Sequence, residues 1–508
     1  MARINVSDLT FCYEGSFDNI FEHVSFSIDT DWKLGFVGRN GKGKTTFLNL
    51  LMGKYEYRGV ISAPAAFEYF PYELTDSQMK QCAGDFLYEL REDCELWRVI
   101  CELEKLHLEG DILYRPFESL SHGERTKVLL AVLFAGDNYF LLIDEPTNHL
   151  DHESREIVKE YLRQKKGFIL VSHDRDLLDA CIDHVLILNR HSIEVQSGNF
   201  SSWWLNKERL DHFHRDENEK HKSEIRKLKK AADRARNWAD KNEGRKIGYD
   251  PVKEHDRGNG TRPYIGAKTK KMQSRVKQIE KRIANEIEQK EGLLQDIENP
   301  AQLKVMPLKH HKEVLVSAKE YGIAYDTHEV FQNFNLELRQ GERLFIRGEN
   351  GCGKSSFLKA VLAQGKIASG GENRMKETGI LTIASGLIIS YINQDTSFLK
   401  GNLREFCMER NLDESLFKAI LRQLDMERVQ FAKGMENYSE GQKKKVLIAA
   451  SLLTQAHLYI WDEPLNYIDV FSRMQIENLL LRQKPTMLVV EHDVRFCEKI
   501  ATKVIELG

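Results

Sequence analysis

Eight residues have the types and spacing needed to grip and cleave a nucleoside triphosphate: Lys44, Thr45, Asp144 and Glu145 in the first half of the chain, Lys354, Ser355, Asp462 and Glu463 in the second. Lys44 and Thr45 close the run Gly38-Arg-Asn40-Gly41-Lys-Gly43-Lys44-Thr45-Thr46, which has the form G-x-x-x-x-G-K-[ST]. Glycines let consecutive backbone N–H groups curl around a β-phosphate, the lysine carries a point charge to the β/γ oxygens, and the hydroxyl suits Mg²⁺. Gly348-Glu-Asn350-Gly351-Cys-Gly353-Lys354-Ser355-Ser356 repeats the pattern. Asp144-Glu145 and Asp462-Glu463 each end an apolar run, where the first carboxylate can hold the metal shell and the second can orient and polarise an attacking water.

The flanking residues say which elements must position these groups. Leu34, Phe36 and Val37 form a strand-like run before the first loop, and Phe47, Leu48, Leu50 and Leu51 a helical pattern after it. Tyr139-Phe-Leu-Leu-Ile143 and Tyr459-Ile-Trp461 read as buried strands leading into the carboxylate pairs. Two further features recur in the same order. Leu120-Ser121-His-Gly123-Glu124 returns as Tyr438-Ser439-Glu-Gly441-Gln442, and in both copies the serine precedes the glutamate of the carboxylate pair by 24 residues. Val171-Ser-His173-Asp174 returns as Val490-Glu-His492-Asp493, 28 and 29 residues after the respective glutamates. Four features at matched spacing define an internal duplication. The chain reads as a doubled phosphate-loop ATPase.

Length and composition bound the remainder. A chain of 508 residues is too long for one core and suggests two or three domains. Hydrophobic content of 41% with 30% charged residues fits a soluble globular protein, no window holds eighteen consecutive apolar residues, and the N-terminus lacks the layout of a signal peptide, so a cytoplasmic location is expected. The eight cysteines are scattered without a C-x-x-C pair, which points to reduced thiols and to no metal site.

Between the two halves, from about Asn206 to Pro300, the pattern changes. Leu210, Phe213, Ile225, Leu228 and Trp238 lie among charges in a first arm, and Met272, Val276, Ile279, Ile283 and Ile287 follow helical steps in a return arm. Gly244, Gly248, Pro251, Gly258, Gly260, Pro263 and Gly266 break the tip between them. A long helical hairpin with an irregular apex is expected. From His221 to Pro300 there are 21 Lys and Arg against 13 Asp and Glu, although the whole chain is net −3. Positive charge gathered on one element of an acidic protein suits phosphate, and Arg245, Lys246, Tyr249, Arg257, Arg262 and Tyr264 at the tip can grip RNA backbone or stack on bases. The bland alternative is a solvated coiled coil.

These motifs resemble the ATP-binding cassette superfamily: the Ser121 and Ser439 stretches resemble its signature, His173 and His492 its switch histidine. Tandem cassettes joined by a helical hairpin, with the form Asp144-Glu-Pro-Thr-Asn-His-Leu-Asp151, are similar to the ABC-F ATPases, and the layout resembles their antibiotic-resistance branch of lincosamide, streptogramin A and pleuromutilin type. The resemblance implies an α/β fold of two tandem ATP-binding cassette domains, residues 1–205 and 301–508, joined by a helical hairpin linker, 206–300, with its tip at about 240–266. It implies ATP and Mg²⁺ as ligands, the metal held by Thr45, Asp144, Ser355 and Asp462, with Glu145, Glu463, His173 and His492 catalytic. It further implies that the cassettes close head to tail within one monomer, the first site facing Ser439 and Gly441 and the second facing Ser121 and Gly123. Tyr13 and Tyr325 would stack on adenine and Gln394 would sense the γ-phosphate. Tyr72 stands where the first cassette should have its glutamine, and Pro464-Leu-Asn-Tyr-Ile-Asp469 departs from the family form, so the sites are expected to be unequal.

The implied partners are the 70S ribosome, through 23S rRNA, and P-site tRNA, with neither membrane nor DNA, in a cytoplasmic, ribosome-associated protein. The implied function is protection of the peptidyl-transferase centre from antibiotics. The alternatives are a housekeeping translation factor acting on stalled ribosomes and the ATPase subunit of a membrane drug exporter; a DNA-repair ATPase is more distant, because the long inserted coiled coils and zinc-binding cysteine pairs of that class are missing from the sequence.

Overall fold

A computed structural model describes residues 2–13, 19–39, 43–91, 93–148, 150–189, 192–244, 274, 277–278, 281–282, 307–325, 328–349, 351–365 and 375–507. The chain divides into two compact units, one formed by Met1–Trp203 with Pro300–Gly508, the other by Trp204–Asn299.

The larger unit holds the duplication. In its first half, strands run side by side in the order Ala66–Phe70, Tyr139–Asp144, Phe168–Val171, Lys33–Val37, His184–Leu188 and Ile193–Ser197, all parallel except the last pair. The second half repeats this with Ile389–Ile392, Leu458–Asp462, Met487–Val490, Arg343–Arg347 and Lys503–Glu506, all parallel. The central strands carry unbroken apolar runs such as Phe168-Ile-Leu-Val171 because helices cover both faces of a parallel sheet. A three-stranded antiparallel sheet accompanies each core: Phe21–Asp29, Arg3–Phe11 and Arg58–Ser62 in the first half, His328–Arg339, Val314–Tyr325 and Met375–Ile383 in the second.

The repeat extends to packing. Phe47, in the helix Lys44–Leu51, lies among Phe21, Phe26 and Phe36, while Phe357, in the helix Lys354–Gln364, lies among Tyr321 and Phe334. Both are fully buried. Each anchors its phosphate-loop helix to a sheet, so Phe357→Ala is expected to destabilise the second half by about 3–5 kcal/mol. Thermal unfolding should show a lowered midpoint for the second half, whereas Phe357→Leu, which keeps most of the volume, should show a smaller change.

The smaller unit is entered by the helix Phe200–Gly244. Partly or fully buried positions recur along it at Lys207, Asp211, His214, Asn218, His221, Ile225 and Leu228, the three- and four-residue steps of one packed stripe. Leu210 and Phe213 fall beside that stripe and not on it, and are 54% and 58% exposed. In the return arm the described residues Ser274, Lys277, Gln278, Lys281 and Arg282 are helical. Arg245, Lys246, Tyr249, Arg257, Arg262 and Tyr264 lie outside the described residues.

Candidate active sites

Each phosphate loop ends in a glycine whose backbone only glycine adopts without strain. Gly43 and Gly353 cap their helices at φ of 106° and 100°, and a Cβ there would meet Ile20 at 2.7 Å or Val330 at 2.5 Å. Lys44 Nζ donates to Gly38 O at 2.7 Å, and Lys354 Nζ to Gly348 O at 2.8 Å and Glu349 O at 2.6 Å. Both ammonium groups are thus curled inside the loop they serve. Thr46 and Ser356, one residue beyond the hydroxyl-bearing Thr45 and Ser355, bond the hydroxyls of Tyr13 at 2.7 Å and Tyr325 at 3.1 Å. Tyr13 also packs edge-on against Phe11 and Tyr55. Asn40, Gly41 and Asn350 lie outside the described residues.

The carboxylate pairs sit at the ends of their strands. Glu145 and Glu463 hold φ of 50° and 45°, left-handed values uncommon for such residues and found at functional sites. The N–H of each donates to the neighbouring strand, at Val171 O and Val490 O, both 2.9 Å. This turns the side chains toward the switch histidines: His173 Nε2 lies 3.4 Å from Glu145 Oε1, and His492 Nε2 3.6 Å from Glu463 Oε1. The signature serines cap helices. Ser121 and Ser439 each accept from the backbone N–H three residues on, while Glu124 and Gln442 reach back, leaving two helix N-termini with their anion-attracting dipoles. Gly123 and Gly441 lie in the first turns of these helices, and a Cβ on Gly441 would meet Tyr467 O at 2.6 Å.

The two halves meet head to tail. A cavity of about 490 Å³ is lined by Gly351, Gly353, Lys354, Ser355, Gln394, Glu463 and His492 of the second half together with His122 and Arg155 of the first. It therefore brings the residue beside Ser121 to the second phosphate loop. Arg155 Nη1 donates to His492 O at 3.3 Å. Around the first loop, Asp469 and Lys445 of the second half act electrostatically on Lys44, whose pKa is lowered by burial against the opposing pull of Asp469, Glu145 and Asp144. Arg39, inside that loop, pairs with Asp425 of the second half at 2.6 Å. A second cavity, about 360 Å³, is lined by Tyr69, Thr126, Asp144, Glu145 and Asn148, all from the first half.

The sites differ in detail. Gln394 Nε2 donates to Glu463 Oε2 at 3.0 Å, and Asn466 Nδ2 to the same oxygen at 2.7 Å. Tyr72 stands at Gln394's register but turns to Glu68; burial, then the Glu68 charge, push its hydroxyl well up. The hydroxyl that serves the first site belongs to Tyr69, which donates to Asp144 Oδ2 at 3.1 Å beside Thr45 Oγ1 at 3.3 Å. Burial and the adjacent Asp144 raise Glu145 to about 8. Burial acts upward on Glu463 too, but hydrogen bonding and charge from His492, with Asn466 and Lys444, outweigh it and hold Glu463 below its ordinary value. Lys444 stands where the first half has Thr126. A carboxylate can act as general base only when ionised, so, if Glu145 and Glu463 take that role, turnover at the first site is expected to rise with pH through about 8, while turnover at the second is already insensitive to pH near neutrality. Steady-state rates of Glu463→Gln and Glu145→Gln from pH 6.5 to 9 separate the two, and coincident profiles would contradict the inequality.

Tyr69, Arg155, Asn466 and Lys444 were not singled out from sequence. Tyr69 is three residues from Tyr72, and Asn466 lies inside the departing Pro464–Asp469 stretch, so these two carry a local signal; Arg155 and Lys444 act through long-range approach.

Two triphosphate-binding loops, two carboxylate–histidine pairs and two helix N-termini, arranged head to tail on doubled α/β cores, define a tandem cassette ATPase. A family model described as ABC transporter matches residues 21–148 and 331–466. The chain belongs to this ATP-hydrolysing family, within its ABC-F branch. It is 26% identical to the ribosome protection protein VmlR of Bacillus subtilis over 494 residues, covering 96% of this chain and 84% of that protein. It is 24% identical to ABC transporter F family member 2 of Arabidopsis thaliana over 563 residues, covering 99% and 76%. Among solved structures, the archaeal ribosome recycling factor aABCE1, in complex with the ribosomal stalk protein aP1, shares the fold with a TM-score of 0.62 at 18% identity over 98% of this chain and 87% of that one. Among the described residues no helix is long and apolar enough to cross a membrane.

Proposed function

We propose that this ATPase binds the bacterial ribosome in its ATP-bound form and protects the peptidyl-transferase centre from lincosamide, streptogramin A and pleuromutilin antibiotics. The linker tip would act beside P-site tRNA and 23S rRNA, in a cytoplasmic, monomeric protein. The observation that carries this reading is the concentration of positive charge in His221–Pro300 of a chain that is acidic elsewhere, in a protein similar along nearly its whole length to VmlR.

The nucleotide chemistry follows from the two sites. Lys44 and Lys354 would exchange loop carbonyls for β/γ oxygens, Glu145 and Glu463 would take the proton of the attacking water, and His173 and His492 would hold those carboxylates in line. The hydroxyl and carboxylate oxygens of Thr45 with Asp144, and of Ser355 with Asp462, form donor sets suited to Mg²⁺, and Asp462 Oδ1 is buried without a hydrogen-bond partner. Bound there, the ion would neutralise phosphate charge during transfer. Expression in a drug-sensitive bacterium tests the functional reading: minimum inhibitory concentrations of a lincosamide and a pleuromutilin should rise, and unchanged susceptibility would favour a housekeeping role on stalled ribosomes.

A further inference from the structure

One ion pair between the two halves breaks the pseudo-symmetry of the duplication. Arg175, two residues after His173, reaches Glu477 of the second half with both terminal nitrogens, Nη1 to Oε2 at 3.2 Å and Nη2 to Oε1. The two side chains are 5% and 0% exposed. Lys499 Nζ donates to Glu477 Oε2 at 3.1 Å, and Asp493, itself bonded to Arg473 at 2.9 Å, approaches Arg175 at 4.0 Å. A two-pronged guanidinium–carboxylate contact fixes orientation as well as distance. Its members are the start of the helix Arg175–Cys181, which Asp174 caps directly after His173, and the helix Val470–Gln483, which follows Asp469.

The duplication supplies an internal control. Val494 occupies Arg175's place two residues after His492, and Lys159 occupies Glu477's place eight residues after Asp151. These two cannot form an ion pair. Lys159 instead bonds Glu156 at 2.6 Å and Asp176 at 3.4 Å within its own half. Arg495 does cross, to Asp176 and Asp179, but from a side chain 32% exposed, where screening weakens the contact. The buried bidentate contact therefore has no counterpart at the equivalent positions after His492 and Asp151.

We propose that Arg175 and Glu477 form a one-sided latch between the cassettes that positions the His173 loop for hydrolysis at the first nucleotide site. Both are positioning residues. They act through His173 and Glu145, so the inference rests on the assignment of Glu145 and Glu463 as water-activating carboxylates.

The test uses the purified full chain with ATP. Arg175→Ala is placed in the Glu463→Gln background, where turnover reports the first site, and in the Glu145→Gln background, where it reports the second. A misplaced catalytic loop should lower kcat at the first site about tenfold with KM changed less than about twofold, and lower the second-site rate no more than about twofold. Glu477→Gln, which keeps the volume and removes the charge, should lower the first-site rate in the same way, and combining it with Arg175→Ala should add little to the loss. Equal losses at both sites, no loss at the first, or fully additive losses in the double variant would each overturn the latch. If Arg175→Ala does not fold, Arg175→Lys, which keeps the charge but loses the bidentate geometry, reads the same asymmetry. A wrong assignment of the carboxylates shows itself separately, as full turnover in both glutamine backgrounds before any latch substitution. The latch is then judged on total turnover of Arg175→Ala, Glu477→Gln and their combination, with non-additive losses supporting it and additive losses overturning it.

Discussion

Replacing Glu145 and Glu463 together with glutamine is expected to leave ATP binding intact and to slow turnover by about 10²–10⁴, the usual effect of removing a positioned general base. The substitution keeps the volume of each side chain and leaves the hydrogen bonds of Lys44 and Lys354 to their loops untouched. It removes the group proposed to take a proton, so the loss should fall on kcat while the apparent affinity for ATP changes little. The single variants should lose unequal shares, because Glu145 is raised by burial whereas Glu463 is held down by His492, Asn466 and Lys444. Phosphate release measured alongside equilibrium ATP binding checks both points. Turnover at the unsubstituted level in the double variant would remove these carboxylates from the mechanism.

Shortening Lys246–Pro263 to a tight glycine turn is expected to abolish drug protection while both cassettes fold and bind ATP. No phosphate loop, carboxylate pair or signature lies in that segment. If the tip works by contact with RNA, its removal eliminates the effector without touching the engine. Neutralising only Arg257 and Arg262 should weaken ribosome binding in a graded way and flatten its salt dependence by roughly one logarithmic unit per lost phosphate contact. The difference from the unsubstituted chain should accordingly be larger at low salt, where attraction is least screened. Minimum inhibitory concentrations for cells making equal amounts of each protein check the deletion. A solvated coiled coil would lose nothing, and retained resistance would assign protection to another part of the chain.

The duplicated motifs made the phosphate loops, the strands before them and the carboxylate pairs legible in the sequence, because their chemistry demands fixed residue types at short range. Tyr139–Ile143 reads as a strand from its apolar run alone, and the structure extends it only to Asp144. What could not be read depends on approach between distant segments. Nothing local in Arg175 or Glu477 marks them as partners across 302 residues, and Arg39 gives no sign of Asp425, 386 residues away. The left-handed backbone at Glu145 and Glu463 was hidden for another reason: glutamate rarely adopts it, and tertiary contacts with Val171 and Val490 override the local preference. In the helix Phe200–Gly244 the packed stripe is largely polar, with His214, Asn218 and His221 beside Ile225 and Leu228, so the spacing of apolar residues alone does not define it.

Co-sedimentation of the Glu145→Gln/Glu463→Gln variant with bacterial 70S ribosomes, in the presence of ATP and again in the presence of ADP, tests most directly whether nucleotide drives this protein onto the ribosome. With hydrolysis blocked, the ATP-bound protein should accumulate in the ribosomal pellet in near-stoichiometric amount and stay in the supernatant with ADP. Equal recovery with both nucleotides, or recovery in a membrane fraction and not with ribosomes, would contradict the proposal.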